Sequence, residues 1–289
     1  MNRHEFSAGD ETVISKAPTT IIQPTRGWAP IRLRDLLEFR ELLYFLVWGE
    51  LKVRYKQTAF GVAWAVFQPV AVMTVFTVFY SWVIRFPTGE TPYPLFAYSG
   101  LLVWIYFSNA LNQSSNSLVR HERLITKVYF PRLLVPIAAV LAGLVDLAIG
   151  FVVLVVLLAF YGFSPTVALL TLPLFVLLAV TIALTISLWL SALNVRYRDI
   201  KLLVPVLIQL WFFSTPIIYP SSLIPASWRG LYQALNPMAG VVEGFRWALL
   251  GETEPPNPLM AVSVAIILVL LVGGLYYFRR MERTFADVV

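Results

Sequence analysis

Charged residues are missing from long stretches of this sequence, and their absence constrains the fold more than any other feature. No Asp, Glu, Lys or Arg occurs in residues 57–84, 91–119, 202–228 and 255–278. A fifth stretch, between Arg132 and Arg196, holds Asp146 as its single charge. Because a helix needs about 20 mostly apolar residues to cross a bilayer, four stretches supply one span each. The fifth is long enough for two, broken at residues 162–165.

We therefore predict an all-α integral membrane protein with six transmembrane helices. The spans are predicted at residues 61–84, 94–110, 133–161, 165–193, 202–219 and 259–278. Overall, 13% of the residues are charged and 58% are apolar, whereas soluble domains average about 25% charged residues. This composition excludes an ordinary water-soluble domain.

Two short apolar pieces, residues 226–235 and 240–250, precede the last span and are each too short to cross. They are expected either to dip into the outer leaflet and return as re-entrant helices or to lie flat as surface helices. Non-helical backbone at membrane depth is tolerated only against protein or a wet cavity.

The 22 Lys and Arg residues divide unequally when the six spans are drawn. Nineteen fall on one side, and only Arg85, Arg229 and Arg246 fall on the other. The positive-inside rule then places both termini in the cytoplasm. The net charge of +6 is thus a topology signal, so we expect contact with membrane lipids and no nucleic-acid partner.

Four domains are expected along the chain. Residues 1–30 read as a disordered cytoplasmic tail without a cleavable signal, so the first span would stay in the mature protein. Residues 31–56 mix charged and apolar side chains at helical spacing, which favours an amphipathic interfacial helix over an ordinary soluble one. Residues 57–283 form the six-span domain, and residues 284–289 form a cytoplasmic C-terminal tail.

Several kinds of chemistry are excluded by missing residues. The chain has no cysteine and two histidines, which argues against disulfides and against metal sites. No G-x-x-x-x-G-K-[ST] loop for ATP and no G-x-S-x-G nucleophile turn occurs. We therefore expect no catalytic residue, no metal and no cofactor in this chain, and an energy source in another subunit or in an ion gradient.

A few polar and aromatic residues stand out within the apolar stretches. Asp146 shares a helix face with Ala139, Gly143 and Gly150, and it needs either an interhelical hydrogen bond that fixes packing or a wet cavity. Glu243 and Arg246 lie three apart, as a surface pair or as a polar lining at an exit mouth. The mid-span aromatics Trp211, Phe212 and Phe213 could face lipid or stack on sugar rings.

Several strings occur together in a familiar order. They are FGVAW at residues 60–64 with Gln68-Pro69, LITKVYFPR at 124–132, NVRYRDI at 194–200, TPIIY at 215–219, and NPM at 236–238 with Glu243 and Arg246. Over residues 31–283 the chain resembles the membrane subunit of ABC-2 type polysaccharide exporters, the O-antigen, capsule and teichoic-acid export permeases. The tail before residue 31 is not part of that pattern.

The resemblance implies a homodimer in the bacterial inner membrane, bound to two copies of a cytoplasmic ABC ATPase that would hold ATP and magnesium. The cargo would be a polysaccharide on an undecaprenyl-diphosphate type lipid, as in lipopolysaccharide biosynthesis, passing between spans one and five of the two protomers. An ABC-2 permease that exports a small drug or lipid is the alternative. A third possibility is an intramembrane enzyme that acts on a lipid-linked sugar. Such an enzyme needs a cluster of catalytic acids, and Asp146 stands alone.

The resemblance also assigns roles to residues. The ATPase coupling surface would comprise Arg120, His121, Glu122, Arg123, Lys127, Tyr129, Arg196, Arg198 and Asp199. The gate helix would carry Arg40, Trp48, Lys52, Arg54 and Tyr55. The channel or substrate path would include Gln68, Phe76, Gln209, Phe212, Phe213, Tyr219, Trp228, Glu243 and Arg246.

Overall fold

The computed structural model describes residues 38–56, 61, 63–80, 91–163, 166–251, 255, 257–282 and 285. Within these ranges all the regular secondary structure is helical, which confirms the predicted class. The predicted tail 1–30, the first part of the amphipathic helix (31–37) and the end of the first span (81–84) lie outside the described residues. The same holds for the C-terminal tail apart from Phe285.

The described residues form a series of helices joined by short connections. They are α1 (Arg40–Lys56), α2 (Ala63–Phe79), α3 (Tyr93–Ser115), α4 (Ser117–Arg120), α5 (Glu122–Lys127), α6 (Leu134–Phe160), α7 (Leu172–Arg196), α8 (Ile200–Phe213), α9 (Ala226–Leu235), α10 (Pro237–Leu250) and α11 (Met260–Glu282). A 3₁₀ turn, Val167–Thr171, leads directly into α7.

Four of the predicted spans are helices long and apolar enough to cross a membrane: α3, α6, α7 with its 3₁₀ turn, and α11. At the first and fifth predicted spans lie α2 and α8, which have 17 and 14 residues. At 1.5 Å per residue these extend about 26 and 21 Å, against a hydrocarbon core of about 30 Å. A multi-pass helical membrane protein is confirmed, while the count of six crossings stays a prediction.

The centre of the helix bundle is α3, which is buried along nearly its whole length and contacts α2, α6, α7, α8 and α10. Small residues of α6 allow α3 to approach closely: a Cβ added at Gly150 would lie 2.5 Å from Leu102 Cδ1. Ala139 and Gly143 are buried on the same helix. The predicted small-residue face of α6 is thus a packing face for α3.

The second span was predicted to end at residue 110, but α3 continues to Ser115. Its polar end is helical because it is packed between two other helices and its polar groups find partners there. Ser114 Oγ donates to the Pro136 carbonyl at 3.0 Å, and Asn194 Nδ2 donates to the Ser115 carbonyl at 3.0 Å. Lack of charge alone could not place this boundary.

The two short pieces before the last span are helices, α9 and α10, at the predicted positions. Most of α10 is buried, against α3, α7 and α11, so this helix does not lie flat on the surface. In contrast, α9 leaves Trp228, Leu231 and Leu235 exposed. Whether the pair is re-entrant stays a prediction.

Candidate functional site

The connection between α3 and α6 presents an exposed basic surface, formed by α4, α5 and the residues after them. Arg120, Arg123, Lys127 and Tyr129 are exposed, and Tyr129 is 78% accessible although it is a large aromatic residue. The turn between α7 and α8 adds Arg196, Arg198 and Asp199, all exposed. The sequence-predicted coupling residues are therefore available to a soluble partner, except that His121 is partly buried.

Glu50 of α1 connects this loop surface to the predicted gate helix. Its side chain is buried, and Oε2 lies 3.4 Å from Arg120 Nη1 while Oε1 lies 3.9 Å from His121 Nε2. Both contacts come from the junction of α4 and α5. A buried carboxylate strongly favours a cationic partner because desolvating it alone is costly, so α1 and the loop are held together at this point.

One helical turn further along α1, Arg54 and Tyr55 both donate hydrogen bonds to the Asp146 carboxylate of α6. The predicted need of Asp146 for an interhelical partner is thus met by α1. These side chains also line a cavity of about 230 Å³ between α1, α2, α3 and α6. Asp146 thus has an interhelical partner and a cavity beside it, and a wet cavity stays a prediction. Arg40, Trp48 and Lys52 lie on the exposed side of α1.

At the C-terminal end of α8, hydrogen bonds from Asn236 link this helix to the turn between α9 and α10. The Asn236 side chain accepts a hydrogen bond from Trp211 Nε1 at 2.9 Å and donates to the Ser214 carbonyl at 3.0 Å and to Thr215 Oγ1 at 3.1 Å. It also caps α10 by accepting from the Ala239 amide. Tyr232 donates to the same Ser214 carbonyl, and burial raises the pKa of its phenol, which therefore stays a neutral donor.

Arg246 of α10 is 2% exposed and does not form the surface pair that spacing alone favoured. It donates to the backbone carbonyls of Phe96 at 3.3 Å, Pro216 at 2.6 Å and Ile217. Its guanidinium carbon also lies 3.6 Å from the centroid of the Phe96 ring, a cation–π contact. Glu243 instead accepts from Gln233 Nε2 at 2.7 Å.

The predicted channel residues are divided between partly buried positions that pack against the core and exposed positions. Trp211 and Phe212 pack against the α3 aromatics Trp104 and Phe107, and Phe76 of α2 lies 6.1 Å from Phe212 between ring centroids. Exposed positions are held by Gln68, Gln209, Phe213 and Trp228. Tyr219 is partly buried and donates to the Phe213 carbonyl at 3.1 Å. Their role as a path stays a prediction.

Sequence reasoning did not find Glu50, Asn109, Gln113 or Asn236 as site residues. Glu50 is one of several charges on an amphipathic helix, and nothing in its spacing marks it as buried. Asn109 and Gln113 fall on the Tyr106 face of α3 at helical spacing, a signal that could have found them. Asn236 could have been found as an N-cap, because it directly precedes Pro237 at the first helical position.

The bundle of long apolar helices defines a multi-pass helical membrane protein with an exposed basic loop. The chain belongs to the ABC-2 type transporter family, whose model matches residues 41–250. That match runs from the second residue of α1 to the end of α10.

Individual relatives carry more specific names. The O-antigen export system permease protein RfbA of Myxococcus xanthus is 35% identical over 257 residues, spanning 87% of this chain and 98% of that protein. The protein of the same name from Klebsiella pneumoniae is 29% identical, with 86% and 95% covered. The polysialic acid transport protein KpsM of Escherichia coli is 21% identical, with 81% and 91% covered.

Proposed function

We propose that this chain is the permease subunit of an ABC exporter that moves a lipid-linked polysaccharide of the O-antigen kind across the bacterial inner membrane. The observation that carries the proposal is the 35% identity to an O-antigen export permease over 98% of that protein's length. In this proposal two copies of the chain assemble with two copies of a cytoplasmic ATPase subunit, which holds the ATP and the magnesium.

The contacts of α1 support a route from the ATPase to the membrane helices. The basic surface of Arg120, Arg123 and Lys127 receives the ATPase, and its motion reaches α1 through the buried Glu50. From there the Arg54 and Tyr55 contacts with Asp146 pass the motion to α6. A rigid chain of side chains of this kind can bias a packed helix between two positions.

The exposed faces of α2 and α8 support a path between two protomers. Within the described residues of α2 only Pro69 is buried, and within α8 only Val204 is buried. The remainder of α8 is uncharged apart from Lys201 and includes Phe213, exposed and apolar. In this proposal the two α8 helices and the two α2 helices face each other across a channel, six spans per protomer enclose it, and α9 and α10 form a re-entrant pair at its outer mouth.

The test is a strain that lacks this chain, complemented with the full chain or with variants. Export of polysaccharide to the cell surface should be lost in the deletion and restored by the full chain, and a cytoplasmic ATPase subunit should co-purify with the chain. Charge reversal by R123E with K127E should abolish co-purification. The matched control R280E, an exposed charge at the end of α11, should leave it intact.

Other outcomes would overturn the proposal. Unchanged surface polysaccharide together with lost efflux of a small drug or lipid would favour the other ABC-2 cargo class. Failure of any ATPase to associate would exclude an ABC exporter. Formation of a lipid-sugar product by the purified chain alone would indicate an enzyme.

A further inference from the structure

A cavity of about 230 Å³ lies between α1, α2, α3 and α6, on the half of α3 that leads into the basic loop. Its wall is formed by Arg54, Gln68, Tyr106, Asn109, Gln113 and Asp146, among others. It lies within one protomer. The proposed channel, in contrast, lies between two protomers at the exposed faces of α2 and α8. A site here would therefore lie beside that path, and Gln68, which was predicted to line the path, is part of its wall.

The α3 wall of the cavity carries polar groups that the protein leaves unpaired. Tyr106, Asn109 and Gln113 follow each other at intervals of three and four residues, so they share one face of α3. The Tyr106 hydroxyl is buried and has no hydrogen-bond partner, and the residue is 1% exposed. Within the described part of the chain, the side-chain amides of Asn109 and Gln113 also have no hydrogen-bond partner.

Unpaired polar groups at such a position are costly for the protein alone. A buried donor or acceptor without a partner costs roughly 1–3 kcal/mol, and native proteins leave few of them. The Tyr106 hydroxyl is such a group, and the partly exposed amides of Asn109 and Gln113 lie along the same face of the cavity wall, where a ligand in the cavity can meet all three. Tyr106 offers a hydroxyl donor, and each amide offers two donors and an acceptor, which together match a ligand with several hydroxyl groups.

The charges of the cavity favour a neutral ligand over an anion. Of the described residues that line it, Arg54 and Asp146 are the charged ones, and they are paired with each other. Binding of a phosphate or a carboxylate would need an uncompensated Arg or Lys. A neutral polyhydroxyl compound needs hydrogen-bonding side chains and an apolar surface for its C–H groups, and Trp64, Pro69 and Leu102 supply that surface.

We propose that this cavity is a binding subsite for one neutral sugar ring of the exported glycan. The inference rests on the proposed function, which supplies a polysaccharide cargo, and adds a site to it inside each protomer. The volume fits one ring. It equals nearly eight waters at roughly 30 Å³ each and is below the roughly 300 Å³ at which drug-sized pockets begin, so a longer stretch of polymer would have to lie outside it.

The test measures binding of methyl glycosides to the full chain in lipid nanodiscs by saturation-transfer NMR. The probes are the methyl glycosides of glucose, galactose, mannose, rhamnose and N-acetylglucosamine. At least one should show saturation transfer. Saturation transfer should disappear in the double variant N109L with Q113L. In Y106F, which removes one hydroxyl, the affinity for the glycoside should fall about three- to tenfold.

Two controls separate a lost site from a lost fold. T181V replaces an exposed hydroxyl of α7 that bonds only the Leu177 carbonyl in its own helix, and it should bind the glycoside like the unaltered chain. Because the Leu variants remove unpaired polar groups, their melting temperature should be equal to or above that of the unaltered chain. If the double variant unfolds, Y106F alone decides the question.

Three results would overturn the inference. The first is that none of the five glycosides shows saturation transfer. The second is that transfer is undiminished in Y106F and in N109L with Q113L. The third is that inorganic pyrophosphate displaces the glycoside and that its own binding is lost in the same variants. The surface-polysaccharide assay is independent of these measurements. Loss of export in the deletion strain combined with unaltered binding in the cavity variants would leave the proposed function standing and remove only the subsite.

Discussion

Arg246 shows how a single side chain can hold the irregular backbone that follows α8. The segment after Phe213 is not helical, so its carbonyl groups have no intrahelical partner, and buried carbonyls need one. The guanidinium satisfies the carbonyls of Pro216 and Ile217 and reaches back to Phe96 of α3. Five donors in a planar fork suit this task better than the point charge of a lysine.

We expect R246M to destabilise the protein strongly, because it leaves these buried carbonyls unpaired at about 1–3 kcal/mol each. R246K should lie between R246M and the unaltered chain. The measurement is the melting temperature of the purified chain in detergent. The control is R229M, since Arg229 contacts its two carbonyls only at 3.3–3.4 Å. Equal melting temperatures for R246M and R229M would contradict a structural role for Arg246.

At the scale of helices, α10 is positioned by its close approach to α7. A Cβ at Gly244 would lie 2.1 Å from the buried Phe175 ring, whereas one at Gly240 would lie 3.1 Å from the flexible Met260 side chain. Both glycines are inside the same helix, where alanine is intrinsically favoured by up to about 1 kcal/mol. Alanine at Gly240 therefore reports mainly the gain in helix propensity, whereas alanine at Gly244 also reports the cost of disturbed packing.

We expect G244A to lower the melting temperature, because the Phe175 ring has to move within a packed core, at a typical cost of about 1–3 kcal/mol. G240A should be neutral or stabilising. Thermal unfolding of both variants in the same detergent measures the difference. A G244A chain as stable as G240A would contradict the close packing of α10 on α7.

The contact between α1 and the basic loop predicts a variant that separates assembly from transport. In E50Q the buried carboxylate that contacts Arg120 and His121 loses its charge, while the exposed surface of α5 is unchanged. The ATPase should still co-purify, and export should fall roughly 2- to 30-fold, which corresponds to a coupling of about 0.5–2 kcal/mol. The control is E41Q, an exposed carboxylate on the same helix. Full export with E50Q would exclude this contact from coupling.

Helix positions followed from the sequence because missing charge is a strong signal over 20 or more residues. The ends did not follow, since Ser114, Ser115 and Asn194 form hydrogen bonds that depend on tertiary packing. The pairing of Asp146 with Arg54 also escaped prediction. The sequence showed that the carboxylate needed a partner, but the partner lies 92 positions away on a helix expected at the interface.

At the scale of the whole molecule, the helices that expose apolar side chains differ in whether they are long enough to span the lipid. The long helices α6, α7 and α11 expose apolar side chains as helices in contact with lipid do. In contrast, α8 is only 14 residues long and exposes Val206, Leu207 and Leu210 on the side away from α3. Within the part of the chain that the structure describes, only the side that carries Val204, Trp211 and Phe212 packs on its own protomer. We therefore expect a second copy of the chain to cover the exposed side.

The absence of cysteine from the chain allows this dimer to be tested directly. Single variants V206C and L210C place a thiol on the exposed face of α8, one turn apart. Treated in membranes with a short bis-maleimide, both should give a covalent dimer and lose export, because the joined helices cannot separate. V269C, at an exposed position of α11, should remain monomeric and active. Crosslinking of V269C but of neither α8 variant would place the dimer contact at α11, and the proposed path between the two α8 helices would be wrong.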